Sequence, residues 1–438
     1  MIRVIRSFRR NNTFWQEAAP LAFADHYSGS KLFAVDSSKT YQTHLGFGGA
    51  FTEAAAVTFW EAPEEIRKEI IEAYFSERGL KYNLGRVPIH STDFSVKSRT
   101  YLQENDETLA SFSLAGDDEA IVPFIREAIA RVPDLWLLAS PWSPPAFMKT
   151  NRDLYYGGRL KKEYYHHWAK YFVRYIQEMA KRGIKIAAVT VQNEPAATQV
   201  WESCLYSAEE EKEFLKILHE EFQKAGLDVK ILIWDHNRDL VPERAHAVLR
   251  EVPELVWGVA YHWYVCEDAE NLSLVHDLHP DHHIIFTEGC VEYSVFGKDD
   301  RWRNGEFYGR NIIKDSLNHS EGFIEWNLLL NEEGGPNHVG NYCEAPIFFD
   351  RREKRLRYNP SYYYIGHFSR FIEPGAKRIH LNKSADPEVF ASAYRNPDGK
   401  IVIIVQNEGY IKEYTIIVDG NSFVASLPER SISTYIIG

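Results

Sequence analysis

The chain is poor in cysteine, has no excess of basic residues and carries no long apolar run, and each shortage removes a class of protein. Four cysteines in 438 residues cannot make the dense disulfide framework of a small secreted domain. Nor are Cys204, Cys266, Cys290 and Cys343 spaced as paired metal ligands, so the thiols are expected to be reduced. Lys and Arg number 50 against 62 Asp and Glu, a net charge of −12. That balance excludes a basic surface for nucleic acid and reads as solubility. Arg3, Arg6, Arg9 and Arg10 make the first residues locally basic, but no apolar stretch follows them. Neither a signal peptide nor a membrane anchor is therefore expected, and the expected location is cytoplasmic. The 17 histidines include no helical His-x-x-x-His pair beside an acid, so no catalytic metal and no cofactor is expected. No internal repeat, low-complexity tract or flexible linker interrupts the chain.

What is present is alternation. Eight strand-like runs begin with the Gly-rich segment 44–51 and continue at 82–89, 135–140, 185–192, 229–234, 256–261, 283–287 and 322–330. Helix-like runs separate them, as a (β/α)8 barrel requires. Between the first two strands, residues 63–75 repeat apolar positions at helical spacing, with Pro63 in the first turn and Gly79 beyond the end. Ser207-Ala-Glu-Glu210 is a capping box, in which hydroxyl and carboxylate satisfy orphan backbone N–H groups at a helix start. From about residue 376 the texture changes to short alternating runs at 389–394, 401–406, 414–418 and 433–437, with turn signals at Asn396-Pro-Asp-Gly399 and Asp419-Gly-Asn421. This pattern predicts an antiparallel β-sandwich. The fold class is thus α/β: a TIM barrel over 44–370, and a β-sandwich over 371–438 to which residues 1–43 add an N-terminal strand near Leu32–Asp36.

Two of the barrel strands end in a glutamate. Val189-Thr-Val-Gln-Asn-Glu194-Pro195 and Ile284-Ile-Phe-Thr-Glu288-Gly289 are β-branched, apolar runs of the kind buried in parallel sheets. Each delivers its carboxylate where strand gives way to loop, the end of a barrel strand at which chemistry is placed. One such Glu is more often a helix cap or a surface ion pair. A pair on strands four and seven can instead meet across the barrel mouth, one protonating a leaving oxygen and the other attacking an anomeric carbon. Such an acid should sit where burial and its partner's charge raise its pKa, while the nucleophile stays ionised. The 14% of aromatic residues is mostly core, although sugar rings stack on such faces.

Further motifs run nearly end to end: Gly46-Phe-Gly-Gly-Ala-Phe-Thr-Glu53, Arg86-Val-Pro-Ile-His-Ser-Thr-Asp93, Ala139-Ser-Pro-Trp142-Ser-Pro-Pro, Asn193-Glu194-Pro195, Tyr261-His-Trp-Tyr264 and Trp326-Asn-Leu-Leu-Leu-Asn-Glu-Glu-Gly-Gly-Pro-Asn337. In these the sequence resembles glycoside hydrolase family 30, in its glucosylceramidase-like branch and its bacterial members. The resemblance implies a retaining exo-β-glycosidase acting on a β-glucoside or glucosylceramide-like substrate, without nucleic acid and without stable membrane insertion. It also implies that Glu194 is the acid/base and Glu288 the nucleophile. Asn193 would then bond the sugar 2-hydroxyl, Asp93, Trp142, Trp326 and Asn341 would bind the sugar, and Tyr264 and Arg86 would support the nucleophile. For the tryptophans, Trp263 included, core packing is the bland alternative, and for Arg86 a structural ion pair. His262 is read as a wall histidine and Cys290 as packing. Asp235 and Arg238 are expected at the aglycone entrance, with Trp201 and Tyr206 along it. β-1,6-Glucanase and β-xylosidase activities occur in the same family, since loops rather than catalytic residues separate these specificities. A catalytically inactive carbohydrate-binding barrel is the alternative of another class.

Overall fold

The computed structural model describes residues 1–24 and 31–438, so residues 25–30 of the expected N-terminal segment 1–43 lie outside the described residues. Eight parallel strands close into a barrel: Gly46–Ala50, Leu84–Ile89, Trp136–Pro141, Ile186–Thr190, Lys230–Asn237, Gly258–His262, His283–Glu288 and Gly322–Asn327. The last pairs with the first through Gly322↔Gly46 and Phe323↔Phe47. Glycine at position 48 permits the close approach of the first strand to the second, since a Cβ there would lie 2.1 Å from the Leu84 carbonyl oxygen. Helices follow the strands on the outside, among them Glu64–Phe75, Tyr165–Lys181, Ala208–Lys224 and Arg301–Leu317. The helix at 208 begins with the expected capping box, in which Ser207 Oγ accepts from Glu210 N at 3.2 Å and Glu210 accepts from Ser207 N at 2.7 Å. The run expected as one strand over 322–330 breaks at Leu328. Its second half, Leu329–Asn331, leaves the barrel to pair with Ile347–Asp350.

Inside the barrel the period of two sorts residues into layers. Leu84, Leu138, Ala188, Leu232, Ala260, Ile285 and Ile324 form one apolar layer. Two residues further along the same strands come Arg86, Ser140, Thr190, His262, Thr287 and Trp326. The barrel is therefore packed below and polar above, and the polar layer is the floor of the site.

The second unit is a nine-stranded hydrogen-bonded sheet in the spatial order Asn421–Leu427, Lys412–Val418, Leu32–Thr43, Lys377–Lys383, Val389–Arg395, Ile401–Asn407, Ser431–Ile437, Ile2–Phe8, Thr13–Leu21. The chain start contributes three of these strands, where the pattern had pointed to one. Phe423 from one edge strand meets Tyr435 from the seventh strand with ring centroids 5.6 Å apart, so the sheet folds over on itself as a sandwich around Ile2, Val4, Phe33, Ile403, Ile416 and Leu427. Its other face is buried too. Ile401, Ile403 and Val405 point into the sandwich, while Val402 and Ile404 join the apolar cluster of the barrel helices.

Candidate active site

The polar layer is one hydrogen-bonded network centred on Asp235. This carboxylate, fully buried, accepts from Arg86 Nη2 at 2.7 Å, Thr190 Oγ1 at 2.7 Å, Thr287 Oγ1 at 2.6 Å and His262 Nε2 at 2.9 Å. Burial alone would raise its pKa, but the Arg86 and His262 charges hold it far below the usual carboxylate range. A bulge puts it there. The pairing register of strand five with strand six shifts between Trp234 and His236, and Trp234 and Asp235 adopt the left-handed region at φ 72° and 52°. Bulges at barrel rims re-aim side chains in this way. Asp235 is therefore not at the aglycone entrance as the sequence reading had it. Arg238 is not there either, being fully buried on Asp315, Asn311 and the Cys266 carbonyl.

Above this floor stand the two strand-end glutamates. Glu288 accepts from Tyr264 Oη at 2.8 Å and is in a short ion pair with Arg86. Arg86 also donates to Asn193 Oδ1 at 2.9 Å and Ser140 Oγ at 3.1 Å, and its guanidinium lies 4.8 Å from the Trp142 ring. Glu194, with its side chain 13% exposed, faces His262 Nδ1 at 3.5 Å and His236 Nε2 at 3.9 Å. Its backbone is in the left-handed region, φ 48°, a strained conformation of the kind that clusters at functional sites. Donor atoms of Glu194, Glu288 and His262 all lie within 4.8 Å of one another. A divalent ion would accept that spacing. Here Glu288 already faces the Arg86 cation and His262 is engaged by Asp235, so the cluster is electrostatically suited to holding a proton.

The proton balance differs from expectation. Burial raises Glu194, but the hydrogen bond and charge of His262 and the charge of His236 outweigh it and leave the carboxyl below its ordinary value. Burial raises Glu288 and the Glu194 charge adds to it, against His262 and Arg86. Burial disfavours the charged form of His262, yet Glu288, Asp235 and Glu194 bring it up to about 9. These shifts favour the shared proton on His262 over Glu194.

The remaining expected residues converge on one cleft of about 180 Å³, lined among others by Asp93, Trp142, Asn193, Glu194, Trp201, Tyr264, Glu288, Trp326 and Asn341. Trp142 and Trp326 stack at 5.2 Å to form one wall. Asp93 accepts from the side-chain amides of Asn337 and Asn341, each at 3.3 Å. Burial and then the Glu288 charge push it up to about 8, which favours its protonated form. Cys290 also lines the cleft, with Sγ 3.7 Å from Tyr264 Oη. Tyr206 does not. It is buried against Phe214, a correction to its expected place beside the aglycone. Trp263 packs on Phe286 and Tyr308.

Sequence reasoning passed over Glu202 and His338. The fully buried Glu202 carboxylate accepts from Ser91 Oγ and Ser98 Oγ, both at 2.6 Å, and pairs with His338 Nε2 at 3.2 Å. His338 N in turn donates to the Asp93 carbonyl at 3.1 Å. One carboxylate thus joins the loop carrying Asp93 to the loop carrying Asn337 and Asn341. Burial works against its ionisation, but His338 and the serine hydroxyls bring it down to about 2. No motif marks it, because its partners come from two other loops, one carrying Ser91 and Ser98 and one carrying His338.

Residues 44–372 match the model of the glycosyl hydrolase family 30 TIM-barrel domain, and residues 375–435 match that family's β-sandwich domain. Lysosomal acid glucosylceramidase of Mus musculus is 34% identical over 427 residues, 92% of this chain and 83% of that protein. The crystal structure of SrfJ from Salmonella typhimurium superposes with a TM-score of 0.96 at 36% identity, covering 100% of this chain and 99% of the other. The endo-β1,6-glucanase BT3312 superposes with a TM-score of 0.90 at 27% identity, over 100% and 99%.

Proposed function

The chain belongs to glycosyl hydrolase family 30 and is a glycoside hydrolase, and from that premise we propose that it is a retaining exo-β-glycosidase that removes glucose from β-glucosides of the glucosylceramide type. The observation that carries the reading is the pair of carboxylates on strands four and seven, whose oxygens approach within 4.8 Å. Retention needs a carboxyl pair about 5–5.5 Å apart, whereas inversion needs about 6.5–9.5 Å to admit a water.

In this mechanism Glu288 attacks the anomeric carbon. Arg86 and Tyr264 hold its oxygens, keeping one lone pair directed at the sugar. Glu194 gives a proton to the departing glycosidic oxygen as the C–O bond breaks, which leaves a glycosyl ester on Glu288. The same Glu194, now a carboxylate, takes a proton from the water that opens the ester, and the β-configured sugar leaves. The proton for the first step comes from His262, whose Nδ1 faces Glu194 at 3.5 Å. Its transfer leaves the net charge of the cluster unchanged. Asn193, fixed by Arg86, is placed to bond the sugar 2-hydroxyl, and Asp93, Trp142, Trp326 and Asn341 enclose the rest of the ring.

Whole-length similarity to an endo-β1,6-glucanase favours a second substrate reading on the same chemistry. Initial rates on an aryl β-glucoside, an aryl β-xyloside, glucosylceramide in mixed micelles and a β-1,6-glucan separate the two. We expect the glucoside and the glucosylceramide to be cleaved, with activity kept in a strong chelator. Preference for the glucan assigns the rival substrate, and preference for the xyloside defeats both.

A further inference from the structure

A charge balance over the cleft leaves one acid unmatched. Asp235 and Glu288 face Arg86, and Glu194 faces His262 and His236. Asp93 is held by two amides. Glu292 also lines the cleft, yet among the described residues no cation lies within ion-pair distance of its carboxylate. Its surroundings raise its pKa, through burial first and then the charges of Glu194 and Glu288, against a hydrogen bond from Asn341. Lys298, the nearest cation along the chain, sits instead over the Tyr293 ring at 4.6 Å.

The backbone holds Glu292 in place. It faces Cys343 in an antiparallel bridge, the neighbouring Val291 carbonyl accepts from Glu344 N at 2.9 Å, and the Glu292 carbonyl accepts from Phe296 N at 2.9 Å. The chain passes from buried Glu288 through half-buried Glu292 to the exposed residues 294–299, so Glu292 lies between the nucleophile and the outer face of the cleft, with Asn341 of the sugar wall as its neighbour. Trp201 and Val265 line the same mouth, with Val265 60% exposed. The mouth thus combines apolar surface with one unneutralised acceptor.

We propose that Glu292 is a specificity-determining residue that accepts a hydrogen bond from the aglycone beside the glycosidic bond, favouring a protonated amine there over a neutral hydroxyl and disfavouring an anion. The proposal rests on the glycosidase reading above. It gives the leaving side of the substrate a stated chemistry, an apolar body with a donor close to the sugar. A contact of this kind exists before the bond breaks, so it belongs mainly in KM. Because Glu292 is partly exposed, the preference is screened by salt.

The test uses aryl β-glucosides matched in leaving-group pKa and bearing an aminomethyl, a hydroxymethyl or a carboxylate substituent, with the wild type and Glu292→Gln compared at low and high salt. The wild type should prefer the aminomethyl over the carboxylate substrate by about fivefold or more in kcat/KM, the size expected of a partly exposed ion pair. Most of that preference should lie in KM, shrink at high salt and be lost in Glu292→Gln, while the hydroxymethyl substrate falls between. A wild-type ratio near one overturns the inference, and so does a ratio that the substitution leaves intact. If the wild type cleaves none of the three glucosides, the β-glucosidase reading falls and this inference with it; turnover with a flat ratio overturns this inference alone.

Discussion

At the scale of single residues the two glutamates differ in what each substitution should do. Glu288→Gln removes the nucleophile and should abolish turnover of every substrate. Glu194→Gln should cost little on an aryl glucoside whose leaving group needs no proton and roughly 10²–10⁴-fold on an alkyl glucoside, the usual worth of general acid catalysis. Equal losses on the two substrates would remove Glu194 from its role. His262 bears on the same proton. With His262 present, the pair loses its last proton near the His262 value of about 9. In His262→Gln the proton rests on a carboxyl alone, so the alkaline limb of the pH profile of kcat/KM should move toward acid. An unmoved limb would show that Glu194 is reprotonated from elsewhere. Both glutamates were legible because each follows an apolar strand, Glu288 as its last residue and Glu194 four residues past Thr190. Asp235 was misplaced because the bulge at Trp234–Asp235 breaks the period of two on which sequence reading depends; Leu232 and Asp235 share the barrel interior although they are three positions apart, an odd spacing.

At the scale of elements, the eight strands and their helices could be read from periodicity, and the helix at 208 from its cap. Loop packing was not readable, since the Glu202 contacts to Ser91, Ser98 and His338 join segments far apart in sequence. These contacts position Asp93 and Asn341 without touching the reacting atoms. Glu202→Gln keeps the shape but loses the charge that holds His338, so the glycone wall should loosen. The expected result is a several-fold rise in KM with a smaller change in kcat. A fall in kcat with KM constant would mean that the pair acts in the transition state instead.

For the whole molecule, the two chain ends and the barrel are one structure. Strand Ile2–Phe8 lies between Ser431–Ile437 and Thr13–Leu21. Sequence reading missed it because Arg3 and Arg6 break up its apolar pattern; Arg3 is in fact exposed and paired with Glu17 on the next strand at 2.7 Å. His367 of the last barrel helix reaches Ser7 Oγ and Thr434 Oγ1, each at 2.8 Å. Arg430 of the sandwich pairs with Glu306 of the barrel, and Gln406 Nε2 donates to the Glu306 carbonyl at 2.8 Å. With Val402 and Ile404 buried on the barrel helices as well, urea should unfold both units in one transition, coincident by tryptophan fluorescence and by loss of activity. Two separated transitions would contradict that coupling. No helix among the described residues is long and apolar enough to cross a membrane. The claim on which everything else depends is the approach of Glu194 and Glu288, and the anomer first released tests it most directly. Proton NMR during hydrolysis of an aryl β-glucoside should show β-glucose before mutarotation sets in, and α-glucose appearing first would contradict the assignment of Glu288 as nucleophile.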